Sequence, residues 1–380
     1  MPVEARIFIT ALAFRVLSAL LAFLANVVFP QHQDQGFGVL PRQDHQFWDA
    51  FARYDAGWYH GIASVGYEYR GVGRNNLAFF PAYPLLMRAG GWVLGGRQQD
   101  YYFVGILISW LAFAGAMTML YRLALLDMPR AAALRAVMYS AVFPFAYFFG
   151  MVYSESLFLL AMVAAAYGLR TQQWLVGGVA GAVMTATRVT GMMAVPGLAL
   201  LAWRAAGADR RGQLHAVAAV AVSMIGITVY SAFNWMVSPS PFTWYESITF
   251  WGYHPGGNPF SGVMRLLQAL LLRPYQFLTT ERMAPYDVLN AFAAIGALSL
   301  VPVIWKRFNA GYALIVVAAL MLPLSSGQFE GLGRYTAVQF PVALVLASFA
   351  GDTRHQVWLT ASAMLYAICM ALFVTVHPLF

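Results

Sequence analysis

Apolar runs of about twenty residues, nearly free of charge, recur along almost the whole of this 380-residue chain. A run of that length is what an α-helix needs to cross the hydrocarbon core of a bilayer, and inside that core the backbone must satisfy its own hydrogen bonds. Charged residues make up only 10% of the chain, against about a quarter in a soluble domain, too few to cover a water-facing surface. The class is therefore all-α, a polytopic integral membrane protein. The net charge of +8 is almost wholly arginine, since Lys306 is the only lysine. With no basic runs of the nucleic-acid kind, that excess points to orientation and to anionic membrane lipids as contacts, and no nucleic acid is expected. The single Cys369 can form no intramolecular disulfide.

Eleven spans are predicted, at residues 7–29, 101–125, 134–150, 156–169, 174–187, 189–203, 214–237, 288–304, 312–324, 335–350 and 357–376, with ten to twelve admissible. The first is too long for a signal-peptide core and reads as a retained helix. Several are short, which predicts tilted or broken helices. Residues 79–96 stay outside the count, because Pro81, Pro84, Arg88 and four glycines argue for an outer-face or re-entrant helix. With the N-terminus inside, Arg122, Arg130, Arg135, Arg170, Arg204, Arg210, Arg211, Lys306, Arg307 and Arg354 all fall in short inside loops, as orientation by basic residues requires. The chain then reads as one transmembrane domain, 1–380, with interfacial helices in a long first outer loop at 30–100 and a second outer loop at 238–287. Eleven of the fifteen acids fall on the outer face: Asp34, Asp44, Asp49, Asp55, Glu68, Asp100, Glu155, Glu246, Glu281, Asp287 and Glu330. Acids hardly follow orientation rules, so their gathering predicts an outward-facing polar centre.

Five stretches carry candidate chemistry. In "FWDAFARYDAGWYHGIASVGYEYRG", residues 47–71, Asp55 stands among aromatic rings, where a carboxylate kept from full hydration suits a base taking a proton from a hydroxyl. Trp58 and Tyr59 offer flat faces to a sugar ring or a lipid. The same residues also fit an ordinary interfacial aromatic belt, with the acids paired to Arg53 or Arg70. In "NNLAFFPAYPLL" the prolines break a helix start and free backbone groups, either lining a cavity or opening an interfacial helix. Glu155 in "YSESLF" and Arg188 in "TATRVTGMM" lie near membrane depth, where an ionisable group must find a partner or water. Both fall on the outer side, so they pair with each other, or Arg188 grips a phosphate through its planar fork. Arg334 and Tyr335 in "FEGLGRYTAVQFP" sit at a span start, as an anchor or as a cradle for a lipid phosphate. The loop at 241–260 adds aromatics, Glu246 and His254. There is no Asp-x-Asp or Glu-x-Glu pattern, no His/Cys cluster and no Walker loop, so no metal or nucleotide cofactor is expected. Gly177 and Gly181 read as helix packing.

Taken in order, "YDAGWYHGIASVGY", "NLAFFPAYPL", "YSESLF", "TRVTG" and "GRYTAVQFP" resemble the PIG-V-like mannosyltransferases, polytopic glycosyltransferases of the GT-C class. The resemblance runs from Asp55 to Pro341. It implies a GT-C-like fold and transfer of a mannosyl residue, or another single sugar, from a polyprenyl-phosphate-linked donor to a hydroxyl of a glycan, lipid or protein acceptor on the luminal or periplasmic side. The family's acidic catalytic candidate falls on Asp55. Where members often carry Glu-His, this chain has Ser64 and Val65. With this reading, Arg334, Arg188 and Tyr335 are expected at the donor phosphate. Trp58, Tyr59, His60, Asn76, Tyr83, Tyr153, Glu155 and His254 are expected around the substrates, with no metal. The short chain leans to a bacterial inner membrane with the site facing the periplasm. The rival readings are a lipid-linked glycan flippase or transporter, against which stands the lack of an internal repeat, and an O-antigen ligase-like transferase.

Overall fold

The computed structural model describes residues 1–32, 46–281 and 284–379. Asp34 and Asp44 lie outside the described residues. These form helices only, with no strand. The first half holds α1 (Val3–Val28), the short α2 (Gln46–Asp49), α3 (Ala56–Ser64), α4 (Ala82–Val93), α5 (Gln98–Ala124), α6 (Arg130–Ala141), α7 (Glu155–Arg170), α8 (Trp174–Thr187) and α9 (Val189–Ala206). The second half holds α10 (Arg210–Ser223), α11 (Ile225–Val237), α12 (Thr243–Thr249), α13 (Phe260–Leu272), α14 (Pro274–Thr280), α15 (Ala284–Ser299), α16 (Val301–Arg307), α17 (Ala310–Leu324), α18 (Leu332–Ala337), α19 (Phe340–Phe349) and α20 (Asp352–Val374).

Among the described residues, six helical segments are long and apolar enough to span a bilayer: α1, α5, α9, the pair α10–α11, the pair α15–α16, and α20. The protein is thus an integral, multi-pass membrane protein. The other five expected spans are built from shorter pieces, and proline accounts for two of them. Pro144 follows the end of α6, so residues 134–150 divide into α6 and a 3-10 turn at Ala146–Gly150. Pro341 sits in the first turn of α19, so residues 335–350 divide into α18 and α19. Proline lacks the N–H that would continue a helix, and it suits a new first turn. The segment kept out of the count forms α4, whose twelve residues reach about 18 Å, short of a membrane thickness. Pro81 caps it and Pro84 lies in its first turn.

Small residues let the helices close on one another. A Cβ on Gly177 of α8 would lie 2.7 Å from the Leu169 side chain of α7, and one on Gly181 would lie 2.1 Å from Ser223 of α10. The Gly177–Gly181 pair therefore serves packing, as its spacing predicts.

The two ends of the bundle differ in chemistry. At one end Glu4 meets Arg122, Asp127 pairs with Arg170, and Asp352 lies 2.7 Å from Arg135. Arg170 ends α7, and the helix begins at Glu155, about 24 Å away at the other end. There α1, the first long loop and the C-terminal segment are tied together. Arg53 pairs with Asp49 at 2.7 Å, donates to Asn26 at 2.8 Å and to the Val374 carbonyl at 3.0 Å. Tyr54 donates to the His377 carbonyl at 2.6 Å.

Candidate active site

The site is built where four breaks in the helical ladder meet. The first is the turn before α3. Tyr54 there has φ of 51°, a left-handed conformation uncommon for a non-glycine residue. Arg53 is committed to Asp49, Asn26 and Val374, while Asp55 stands at the N-cap of α3. An N-cap aspartate ordinarily accepts from the first backbone N–H groups; the Asp55 carboxylate makes no such bond. It turns instead to Arg334, whose Nη1 donates to its Oδ2 at 2.5 Å across 279 residues of sequence. Tyr153 braces this turn, its hydroxyl accepting from the Asp55 N–H at 3.2 Å and donating to the Arg53 carbonyl at 3.0 Å.

The second break is the start of α7, where Ser154 is the N-cap and Glu155 the first residue, both fully buried. The third is Arg188, extended (φ −155°, ψ 150°) between α8 and α9. Interrupting the helix there lets the guanidinium of an apolar stretch pair with Glu155 and donate to Ser154 Oγ at 3.3 Å. Ser154 Oγ in turn meets the Tyr59 hydroxyl at 2.9 Å. The fourth is α18, preceded by Gly331 at φ 76°, which carries Arg334 and Tyr335. Arg334 Nε lies 3.9 Å from Glu155 Oε1. The Tyr335 ring lies 5.1 Å from the Arg188 guanidinium and 5.6 Å from that of Arg334. Two arginines and two carboxylates thus form one chain, Asp55–Arg334–Glu155–Arg188, in which Asp55 is the most exposed member.

This chain floors a cavity of about 600 Å³. Asp55, Arg188, Arg334, Tyr335, Trp58 and Tyr59 line it. The first long loop adds Arg74 and Phe79, the second adds Tyr245, Trp251 and Tyr253, and the segment before α18 adds Glu330. Burial holds the Glu330 carboxyl up at about 7; Arg334 opposes the rise and the Asp55 charge adds to it. Burial likewise raises the Tyr253 phenol well above its ordinary range.

Of the residues expected around the substrates, Trp58 and Tyr59 line the cavity, and Glu155 and Tyr153 lie just behind the lining, buried, where they hold Arg188 and the Asp55 turn. The others fall elsewhere. His60 stacks on Tyr102 at 4.0 Å and pairs with the Gln98 carbonyl at 3.0 Å; burial lowers its pKa. Asn76 binds the Glu68 N–H and the Gly66 carbonyl, shaping the loop. Tyr83 is buried against Gly105 and Ser109. His254 is exposed between Tyr253 and Pro255, which themselves line the cavity. Ser64, in the position where the sequence departs from the resembled family, donates to the His60 carbonyl at 2.9 Å at the end of α3. Arg74 was not legible as a site residue; its only signal was its place just before "NNLAFF". Trp251 and Tyr253 are among the aromatics noted at 241–260, where no role was assigned to either.

No protein-family model matches the chain, and no curated protein matches it. Solved structures do. The oligosaccharyltransferase of Archaeoglobus fulgidus in its apo form aligns with a TM-score of 0.51 at 14% identity, covering 97% of this chain and 56% of that one. The same archaeal oligosaccharyltransferase, AglB, in complex with an inhibitory peptide and a dolichol-phosphate aligns with a TM-score of 0.51 at 13% identity and the same coverage. ArnT from Cupriavidus metallidurans bound to undecaprenyl phosphate aligns with a TM-score of 0.49 at 13% identity, covering 97% of this chain and 76% of that one. The chain spans little more than half the length of the oligosaccharyltransferase structures. At these identities the likeness is one of fold: the chain has the polytopic helical fold of the GT-C class.

Proposed function

We propose that this protein transfers a mannosyl residue, or another single sugar, from a polyprenyl-phosphate donor to an acceptor hydroxyl, at a site facing the periplasm of a bacterial inner membrane. The observation that carries the reading is the meeting of Asp55 with Arg334, and of Arg188 beside them, on the wall of one cavity at the carboxylate-rich end of the bundle. A solved structure lends support through its ligand, since AglB holds a dolichol-phosphate. Charged residues lining one cavity at one end suit transfer at a surface better than passage across the bilayer.

In this reading the prenyl tail lies among the helices and the phosphate enters at Arg334 and Arg188. Planar guanidinium groups match phosphate oxygens in pairs. Donor binding draws Arg334 off Asp55 and frees the carboxylate. Asp55 then takes the proton of the acceptor hydroxyl, whose oxygen bonds to the anomeric carbon. The bond from that carbon to the phosphate oxygen breaks, and its electron pair leaves with the lipid phosphate, where the two arginines stabilise the developing charge. Tyr153 and Glu155 hold these groups in place. Residues 53–80 of the first outer loop and 245–255 of the second supply the walls.

The test is transfer of radiolabelled mannose from polyprenyl-phosphate mannose to membrane-extract acceptors by the purified protein in liposomes. Asp55→Ala is expected to lower the rate by about 10²–10⁴. Near-normal turnover in that variant would remove Asp55 as base.

A further inference from the structure

The donor reading leaves one wall of the cavity unused. Trp58 follows Asp55 by three residues, so the two share a face of α3 about one turn, or 5 Å, apart. The Trp58 ring stacks on Phe79 at 5.6 Å and 12°, and meets Trp251 edge-on at 5.1 Å. The Arg74 guanidinium lies 4.7 Å from the Trp251 ring, its Nε donating to the Phe250 carbonyl at 3.1 Å. Arg334 and Arg188 each meet a carboxylate, but Arg74 makes no ion pair among the described residues. Trp251 Nε1 is buried and has no hydrogen-bond partner among them. All four side chains line the same cavity.

We infer that this wall is the acceptor subsite and that the acceptor is an anionic saccharide, a hexose ring carrying a phosphate or a carboxylate. A pyranose has a C–H face and a rim of hydroxyls. The face packs on indole and phenyl rings, and the rim accepts from an N–H such as Trp251 Nε1. A guanidinium without a carboxylate partner selects a negative substituent. A sugar ring is about as wide as one helical turn is long, so a ring packed at Trp58 presents a hydroxyl at Asp55. The inference rests on the transfer reading, to which it adds the class of the second substrate.

The experiment is saturation-transfer NMR on the full protein in lipid nanodiscs, with mannose 6-phosphate and methyl α-mannoside as probes and saturating undecaprenyl phosphate present. Mannose 6-phosphate is expected to bind, with transfer strongest at its ring protons, and better than the neutral glycoside. Arg74→Gln should weaken it at least tenfold and erase that preference. Trp251→Phe, which keeps a ring but loses the N–H, should weaken both probes several-fold. No transfer to mannose 6-phosphate, displacement of it by undecaprenyl phosphate, or unchanged affinity in Arg74→Gln would each overturn the inference. Binding of undecaprenyl phosphate is measured in the same samples. If the lipid binds and the sugars do not, the acceptor assignment alone falls; if the lipid does not bind, the donor reading falls.

Discussion

Replacing Arg188 by glutamine asks how the buried charges are balanced. Glu155 is fully buried and Arg188 nearly so, and one oxygen of Glu155 already lacks a hydrogen-bond partner among the described residues. Removing one member of a buried pair ordinarily costs about 3–5 kcal/mol, because the other charge is left uncompensated. Here the loss is smaller. Arg334 Nε lies 3.9 Å from Glu155 Oε1, and at an effective dielectric of about 20 that separation is worth about 4 kcal/mol of attraction. Arg334 is shared with Asp55, so it compensates only in part, and Arg188→Gln is expected to destabilise by about 2–4 kcal/mol. The double variant Glu155→Gln/Arg188→Gln buries two amides of similar volume, leaves Arg334 to Asp55, and should lose only about 1 kcal/mol. The double variant is then more stable than the single by about 1–3 kcal/mol. Cys369 is the only cysteine and is buried, so a thiol-reactive dye reports unfolding in detergent micelles. If the single variant lost under about 0.5 kcal/mol, or the double variant were no more stable than the single, the four-residue charge chain would not exist as described.

Three further outcomes are expected. Arg334→Ala should weaken binding of polyprenyl-phosphate mannose at least tenfold in a direct binding assay, and unchanged affinity would take Arg334 from the phosphate. Glu330 is neutral below about 7 and gains a negative charge above it, so affinity for that phosphodiester, which carries one charge throughout, should fall roughly three- to tenfold as pH rises from 6 to 8; Glu330→Gln should hold the low-pH affinity across the range, and a slope that persisted would exclude Glu330. A Cβ on Gly333 would lie 2.2 Å from the Phe145 ring, so Gly333→Ala should push α18 outward, destabilise by about 1–3 kcal/mol and lower transfer, whereas normal thermal stability would show that the contact yields.

The helical class was legible because hydrophobicity at bilayer length leaves the backbone no other economy of hydrogen bonds. The polar end was legible because charges in apolar surroundings must be partnered. Partner choice was legible only in part: Arg188 with Glu155, one of the two readings open for those residues, is found. Asp49 pairs with Arg53 four residues on, the local alternative open in the sequence, while Asp55 crosses 279 residues to Arg334. Helical geometry divides the first motif. Trp58 and Tyr59, three and four residues after Asp55, share its face, and His60, five residues after, is turned by about 140° toward Tyr102. Arg74 was hidden because an arginine in a polar loop is unremarkable until tertiary structure sets it over Trp251.

The ties from Arg53 to Val374 and from Tyr54 to His377 reach across 321 and 323 residues. The turn that aims Asp55 is therefore synthesised early and braced late. Until α20 has been inserted, Arg53 lacks the carbonyl that caps it, and the proposed base hangs on a turn held by Asp49, Asn26, Tyr153 and Arg334 without its C-terminal ties. Order in this protein's biogenesis thus runs opposite to order along its sequence, and a nascent chain halted before the final helix would carry every proposed reacting group yet lack the last brace that aims them.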